Sequence, residues 1–235
     1  MIRYILFDLD ETLYPPSSGL MPAIGDRMRA FLEREYALSP EDAYDLQKRY
    51  WFEYGTTLRG LMLEHEIDPR HYLDFVHDVD VKQFIVPNPE LNRILSSIPY
   101  EKVIVTNADV PHAQRVLNQL GIAAQFSRIF DIVFMEYECK PARGAYERVL
   151  RALNATGAEC ILVEDTARNL ATARELGIRT ILLLQPEART QPSARFADPA
   201  AQMKATACPP DADLCIEDIA QVGDAIAQLA FLPPP

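Results

Sequence analysis

Residues 7–13 read FDLDETL and directly follow IRYIL, a short apolar run at residues 2–6. The length and composition of that run are typical of a buried strand. Because alternate side chains along extended backbone lie on the same side, Asp8 and Asp10 can both face one crevice. A close carboxylate pair is costly unless a cation lies between the two groups or one of them is protonated. An ordinary acidic turn after a strand is the alternative interpretation.

The chain from residue 88 onward alternates between short apolar runs and segments of helical periodicity. The predicted strands are residues 102–106, 132–134, 160–164 and 180–184, with a short edge strand at 213–216. The predicted helices are residues 90–97, 111–120, 142–153, 167–176 and 219–229. This alternation predicts an α/β fold, a Rossmann-like doubly wound parallel sheet with helices on both faces. Residues 187–213 show no convincing period, and we expect a long surface excursion there.

Residues 15–87 differ in character from the rest of the chain. The segment from Leu13 to Gly19 is rich in turn residues, and helical spacing of apolar residues follows it. Ser39 and Pro40 are typical of a helix start, with Ser39 as the N-cap. No strand pattern occurs in this region. We therefore predict an all-helical cap at residues 15–87, inserted into a core made of residues 1–14 and 88–235.

The composition of the 235-residue chain limits the classes of partner. A formal net charge of −11 disfavours binding to a nucleic-acid backbone or to an anionic membrane. We expect neither a signal peptide nor a membrane-spanning segment. The four cysteines (Cys139, Cys160, Cys208, Cys215) have no Cys-x-x-Cys spacing, which predicts reduced thiols in a cytoplasmic protein. The oligomeric state stays open between a monomer and a weak homodimer.

Polar residues follow the other predicted strands as they follow the first. Thr106 and Asn107 come after the second strand, and Lys140 comes after the third. The fourth strand ends in Glu164-Asp165-Thr166, with Asn169 four residues beyond Asp165. Each motif alone is weak, but in this order they resemble those of the haloacid dehalogenase superfamily of phosphohydrolases, over residues 3–184. An HAD-like core is the fold that this resemblance implies.

The resemblance and the chemistry of the residues imply the same catalytic roles. Asp8 is the expected nucleophile, which would form an aspartyl-phosphate. Asp10 would protonate the leaving alkoxide and then deprotonate the attacking water. Thr106 and Asn107 would bind the phosphoryl oxygens through the Thr106 hydroxyl and the backbone N–H that follows it. Lys140 would stabilise charge on the transferred group and help to keep Asp8 ionised.

The implied cofactor is Mg²⁺, which prefers octahedral oxygen coordination. We expect Asp8, the backbone carbonyl of Asp10 and Asp165 to bind it. The fourth motif departs from the superfamily's frequent Asp-Asp followed by a further Asp. Glu164 therefore stays open as a direct or water-mediated ligand. Asn169 is expected to orient the loop or a metal-bound water.

Asp10 also bears on the reaction class, because superfamily members that cleave carbon–halogen bonds lack an acid there. A narrower resemblance, to the pyrimidine 5′-nucleotidases that act on UMP- and CMP-like monophosphates, is carried by four stretches. These are residues 7–15, 54–61, 106–108 and 139–141. Within the second stretch, Arg59 is the candidate cap residue for contacting substrate, with an exposed helix arginine as the alternative. The excursion at residues 187–213 has no match in that subfamily.

The residues leave three functional interpretations and several neutral ones. The protein could be a nucleotidase, a phosphatase of sugar phosphates or other small phosphomonoesters, or a catalytically silent protein that binds a phosphorylated ligand. A phosphomutase is a further alternative. The aromatic cluster (Tyr50, Trp51, Phe52, Tyr54) fits a cap core or base stacking. The histidines (His65, His71, His77, His112) show no metal-ligand clustering, and we expect them to be packed or on the surface.

Overall fold

The computed structural model describes residues 1–184, 205 and 207–231, and within them six strands form one parallel sheet. The strand order is β3-β2-β1-β4-β5-β6. The strands are β1 (Tyr4–Phe7), β2 (Glu101–Val105), β3 (Arg128–Phe130), β4 (Cys160–Glu164), β5 (Arg179–Leu183) and β6 (Leu214–Ile216). The predicted doubly wound α/β fold is confirmed.

Helices cover both faces of this sheet. Those outside the insertion are α5 (Pro89–Ser97), α6 (Val110–Leu120), α7 (Arg143–Leu153), α8 (Arg168–Glu175) and α9 (Val222–Ala230). Strand β1 shows why both faces need cover, because all four of its residues are buried. Ile5 and Phe7 pack on the side of α5, α6 and α9, whereas Tyr4 and Leu6 pack on the side of α7 and α8. Alternating side chains that are apolar on both faces are typical of a covered parallel sheet.

The insertion is helical, as its periodicity predicts. Its helices are α1 (Leu20–Tyr36), α2 (Pro40–Tyr54), α3 (Thr57–Glu64) and α4 (Pro69–Val76). Helix α2 begins at the predicted cap, where the Ser39 hydroxyl accepts a hydrogen bond from the Asp42 backbone N–H at 3.1 Å. A separate apolar cluster holds these helices together, and Ile132 and Cys139 of the α/β part belong to it. The exact division of the chain into two domains stays a prediction.

The strand predicted at residues 132–134 is wrong. Strand β3 is Arg128–Phe130, at the edge of the sheet, and the chain then turns away. The Asp131 side chain accepts hydrogen bonds from the backbone N–H groups of Phe134 at 2.7 Å and Val110 at 3.0 Å. A carboxylate that bonds to the backbone ahead of it favours a turn over a strand. The apolar residues that suggested a strand include Ile132, which packs in the insertion's cluster.

The prediction of four reduced thiols is also wrong in part. Cys139 and Cys160 are free and buried, but Cys208 and Cys215 form a disulfide. The Asp213 carboxylate accepts the backbone N–H of Thr180 in β5, and strand β6 begins at the next residue. The chain therefore lies beside β5 at this point. This turn brings the two Cα atoms to 5.8 Å, within the range that a disulfide spans. Most of the predicted excursion at 187–213 lies outside the described residues.

No helix in the described ranges is both long and apolar enough to cross a lipid bilayer.

Candidate active site

The candidate site lies at the carboxyl ends of three neighbouring strands. Strands β2, β1 and β4 are adjacent and parallel, so the loops that follow Val105, Phe7 and Glu164 meet at one edge of the sheet. A cavity of roughly 190 Å³ opens there between the sheet and the insertion. The predicted site residues in its lining are Asp8, Asp10, Thr106, Asn107, Lys140, Glu164, Asp165 and Asn169. The topology of the sheet therefore brings together residues that are up to 161 positions apart, as Asp8 and Asn169 are.

A buried ammonium joins two of the carboxylates. Lys140, whose side chain is 1% exposed, donates to Asp8 Oδ1 at 2.6 Å and to Glu164 Oε2 at 2.9 Å. Asp8 Oδ2 accepts the Thr12 hydroxyl at 3.0 Å. Glu164 Oε1 also accepts the backbone N–H groups of Asp165 and Thr166, both at 3.2 Å. The bonds from Lys140 and Thr12 hold Asp8 in one orientation at the end of β1.

The electrostatics of this cluster are dominated by burial. Burial and the neighbouring Glu164 carboxylate raise the pKa of Asp8 to about 7, although Lys140 opposes the shift. Burial would lower the pKa of Lys140, but Asp8 and Glu164 outweigh it and raise that pKa above its usual value. The ammonium is therefore charged, and it is shared by two carboxylates, of which Asp8 still has a raised pKa.

The donor set fits a divalent cation. Asp8, Glu164 and Asp165 are all buried, and each offers a carboxylate oxygen within 4.8 Å of the others. Three buried carboxylates beside a single ammonium would be stabilised by a further positive charge. Oxygen-only ligands of this kind suit Mg²⁺. Asp10 lines the same cavity, and its backbone carbonyl stays a predicted ligand.

A first prediction concerns metal binding and pH. In the metal-free protein the raised pKa of Asp8 favours folding below pH 4, and this contribution is lost as pH rises through about 7. At high pH a bound cation offsets the cost of the buried Asp8 charge. At low pH the cation must first displace the proton from Asp8. We expect Mg²⁺, at one concentration that is about 100 times its Kd at pH 8, to raise Tm by about 5–10 °C at pH 8 and by less at pH 5.5, where protons compete for the same carboxylates. Calorimetry at both pH values tests this, and an equal shift would contradict it.

Two side chains contact the same carboxylate oxygen of Asp10. His112 Nε2 lies 2.8 Å from Asp10 Oδ1, and the Tyr14 hydroxyl donates to that oxygen at 2.7 Å. Burial would raise the pKa of Asp10, but His112 and Tyr14 outweigh it and keep the pKa below its usual value. With Oδ1 engaged in this way, the orientation of the Asp10 carboxylate is fixed within the cavity lining.

No pattern in the sequence predicts this role of His112. The residue is fully buried on α6, and its ring stacks on His77 with centroids 4.5 Å apart. Asp109 caps α6 by accepting the His112 backbone N–H at 3.1 Å, and His77 Nδ1 lies 2.9 Å from the same carboxylate oxygen. The prediction of packed histidines is confirmed for these two. A histidine one turn into the helix after the second motif was the only available signal.

Thr106 and Asn107 are placed at the cavity by β2. The Thr106 side chain is buried, and its hydroxyl accepts the Ala108 backbone N–H at 3.0 Å. The Asn107 amide pairs with the backbone of Lys140, accepting its N–H at 2.8 Å and donating to its carbonyl at 3.1 Å. Asn107 therefore positions the lysine loop, and its binding of substrate stays a prediction.

Arg168 of α8, and not the predicted Arg59, lines the cavity where it meets the insertion. Arg59 is half-buried on α3 and is not among the described residues that line the cavity. Arg168 does line it, with its guanidinium over the Trp51 ring at 4.9 Å and donating to the Trp51 carbonyl at 3.1 Å. Gly55 (φ +90°) lies nearby, where a Cβ would come within 2.9 Å of Cys139 Sγ. Contact of Arg59 with substrate stays a prediction.

The aromatic cluster of α2 divides between the two expected roles. Tyr50 is fully buried and Tyr54 packs in the insertion's apolar cluster, as expected for core residues. Trp51 lines the cavity, whereas Phe52 is 40% exposed. Trp51 is therefore the member that is placed to contact a ligand.

Comparison with known proteins places these motifs in a family. A model of the haloacid dehalogenase-like hydrolases matches residues 2–177. Phosphate metabolism protein 8 of Saccharomyces cerevisiae is 25% identical over 197 residues, which cover 77% of this chain and 61% of that protein. The chain thus spans less than two thirds of the length of this curated relative.

Solved structures resemble the whole chain in fold. L-2-haloacid dehalogenase from Xanthobacter autotrophicus aligns with a TM-score of 0.58 at 18% identity, covering 97% of this chain and 99% of that one. A HAD phosphatase from Thermococcus onnurineus aligns with a TM-score of 0.59 at 14% identity, covering 96% and 98%. At such identities the likeness shows the fold alone, which serves both a dehalogenase and a phosphatase.

Proposed function

The chain belongs to the haloacid dehalogenase-like hydrolases, and we propose that it is a Mg²⁺-dependent phosphomonoesterase that acts on pyrimidine nucleoside monophosphates. The observation that carries the proposal is the placement of Asp10 beside Asp8 in one cavity, with its Oδ1 held by His112 and Tyr14. A nucleophile and a separately oriented acid are what hydrolysis of a phosphomonoester requires. Binding alone would not require both.

In the first half of the reaction, an oxygen of Asp8 attacks phosphorus and the ester P–O bond breaks. The electron pair leaves with the alkoxide, which takes a proton from Asp10 in its protonated form; because the pKa of Asp10 is below its usual value, that form is the minor one in the ligand-free protein. Lys140 and the Thr106 hydroxyl stabilise the charge on the phosphoryl oxygens. The product is an aspartyl-phosphate and the free alcohol.

In the second half, water attacks the phosphorus of this intermediate while Asp10 takes its proton. The acyl-phosphate P–O bond breaks, which releases inorganic phosphate and restores the Asp8 carboxylate. Mg²⁺, bound by Asp8, Asp165, the Asp10 carbonyl and Glu164 directly or through water, would neutralise the negative charge of phosphate and carboxylates. Asp10 serves as acid and then as base, which its fixed orientation toward the cavity supports.

Two features favour a phosphatase among the possible hydrolases. Asp10 supplies a proton that a halide leaving group does not need, so its engagement by two partners fits phosphate esters. The relative named for phosphate metabolism is consistent with this reaction class. The insertion at residues 15–87 would act as a C1-type helical cap over the core of residues 1–14 and 88–235. A small phosphorylated substrate would bind in the cavity between them.

Phosphate release with Mg²⁺ tests the proposal on UMP, CMP, AMP, GMP, ribose 5-phosphate and glucose 6-phosphate. We expect a higher kcat/KM for UMP and CMP than for the purine nucleotides and the sugar phosphates. A preference for sugar phosphates would keep the mechanism and reject the nucleotide. No release from any ester by the folded protein would reject the phosphatase and favour a binding protein or a phosphomutase.

A second prediction concerns His112 as the residue that orients Asp10. We expect His112→Leu to lower kcat by about 10–100-fold with little change in KM, because the acid loses its orientation but the phosphate contacts remain. His112→Gln, which can still donate to Asp10 Oδ1, should recover part of the loss. Steady-state kinetics on UMP measure both variants. If both were equally impaired, or if KM rose while kcat stayed unchanged, His112 would not be positioning Asp10.

A further inference from the structure

The insertion's side of the cavity carries its own buried polar groups. Its lining is mostly apolar there, with Met28 and Ile24 among the residues of α1. Gln47 of α2 and Tyr72 of α4 interrupt this surface, although both side chains are at least 95% buried. Polar groups in an apolar wall cost free energy of folding unless they have partners. Their presence at the end of the cavity formed by the insertion suggests a ligand with polar atoms there.

Gln47 lines the cavity and is held by a hydrogen bond from Arg29. Arg29 Nη1 donates to Gln47 Oε1 at 3.1 Å, and Arg29 also pairs with Asp26 on its own helix. The carbonyl oxygen of Gln47 is thereby engaged, which sets the orientation of the amide. Within the described residues, Gln47 Nε2 donates to the thioether sulfur of Met28 at 3.4 Å, and a thioether is a weak acceptor. A stronger acceptor on a ligand can replace it.

Gly25 keeps the space in front of this amide open. The residue lies in the interior of α1, where glycine is less favourable than alanine by about 1 kcal/mol. It lines the cavity, and a Cβ there would lie 3.8 Å from Gln47 Nε2 and 3.5 Å from Arg29 Nη1. Alanine would therefore fit without a clash but would fill the approach to Gln47. Space for a ligand explains a glycine that helix stability disfavours.

Tyr72 adds a second polar group on the same side. Its ring packs on Phe31 with centroids 5.0 Å apart, which fixes the position of the side chain. The Thr57 side chain interacts with the Tyr72 hydroxyl, but in the described part of the chain this contact lacks the geometry of a regular hydrogen bond. The hydroxyl can donate or accept, so it tolerates either kind of ligand atom.

We propose that Gln47, oriented by Arg29 and approached across Gly25, is the specificity-determining residue that recognises the base of a pyrimidine nucleotide. This inference rests on the proposed function. Uracil and cytosine both carry a carbonyl oxygen at C2, an acceptor that the Gln47 amide N–H can bind, whereas guanine carries its carbonyl at C6 and adenine carries none. The two bases differ at C4, which carries a carbonyl in uracil and an amine in cytosine. The Tyr72 hydroxyl can donate to the first and accept from the second. The Gln47 amide, as a donor, and the Tyr72 hydroxyl, as either donor or acceptor, would together bind both pyrimidines.

Three variants test the assignment: Gln47→Leu, Gly25→Ala and, as a matched control on an exposed face, Gln228→Leu. For Gln47→Leu we expect kcat/KM on UMP and CMP to fall about 10–100-fold, with ribose 5-phosphate changed by less than about 3-fold. Gly25→Ala should lower UMP turnover similarly but raise Tm by about 2–4 °C. Loss of activity with increased stability cannot be attributed to unfolding. Gln228→Leu should match the wild type.

Binding measurements separate this inference from the proposed function. Calorimetric titration of UMP into Asp8→Asn, with and without Gln47→Leu, should show affinity reduced about 10–100-fold by the second substitution. If the wild type hydrolyses UMP but Gln47→Leu changes neither turnover nor binding, the inference is wrong and the proposed function stands. An equal loss on UMP and ribose 5-phosphate would also overturn it. If the wild type hydrolyses no ester, the proposed function itself fails.

Discussion

Asp8→Asn is expected to lower kcat for UMP by at least about 10⁴-fold, which is the scale of loss when a covalent nucleophile is removed. The amide cannot form the acyl-phosphate, so the reaction loses its two-step path. The substitution keeps the size of the side chain and can retain the contact with the Thr12 hydroxyl. It also removes a buried carboxyl group whose pKa is raised to about 7. The variant should therefore fold, and its metal-free form should be no less stable than the wild type.

The control for Asp8→Asn is Asp45→Asn, an acidic residue on an exposed face of α2. Both substitutions change the net charge equally, and only the first should affect phosphate release from UMP and ribose 5-phosphate. Mass spectrometry of wild-type protein quenched during turnover should also locate a phosphoryl group on the peptide that contains Asp8. Asp8→Asn activity within about 10-fold of wild type would mean that water attacks the substrate directly.

The parts of the site that were predictable from the sequence are those set by local position. Asp8, Thr106 and Asp165 each follow a buried strand directly. A parallel sheet brings the carboxyl ends of adjacent strands to one edge, so knowing the strands was enough to place these residues together. The helices of the insertion were predictable for the same reason, since Ser39 capping and apolar spacing are local properties.

The parts that were not predictable depend on contacts between distant residues. His112 reaches Asp10 across 102 positions, and Arg29 reaches Gln47 between two helices of the insertion. Neither pair has a spacing that marks it, because packing of α6 and α2 sets the distances. The third strand was predicted at residues 132–134 and not at its actual position because the Asp131 side chain accepts backbone N–H groups there, an effect that apolar periodicity does not reveal. The Cys208–Cys215 disulfide likewise depends on how the chain returns beside β5.

Lys140→Met is expected to reduce both activity and stability, because Lys140 contacts two carboxylates. Without the ammonium, Asp8 and Glu164 are left as buried charges without this counterion. Loss of one partner from a buried ion pair costs about 3–5 kcal/mol in the free energy of unfolding. Loss of a charged group that stabilises the transferred phosphoryl group lowers kcat by about 10²–10³-fold. Urea denaturation and phosphate release from UMP measure the two effects.

Lys102→Met is the matched control, because it removes a buried lysine without touching the site. Lys102 donates to the backbone carbonyls of Ile98 at 2.9 Å and Tyr100 at 3.0 Å. Its loss leaves polar atoms without a partner but no buried charge, so we expect a cost of about 1–3 kcal/mol and normal kcat. Equal destabilisation by the two substitutions would show that Lys140 contributes as a packed side chain and not as a counterion.

The dependence of the Lys140→Met defect on pH and metal identifies its electrostatic origin. Without Lys140, the opposing charge that restrains the pKa of Asp8 is lost, so this pKa should rise further in the folded variant. A raised folded pKa leaves stability intact below the pKa of the unfolded chain and removes it as pH increases. The stability deficit should therefore be small near pH 4 and largest above pH 7. Mg²⁺ should recover part of the stability at pH 8, because it supplies positive charge to the same carboxylates, but should not restore kcat.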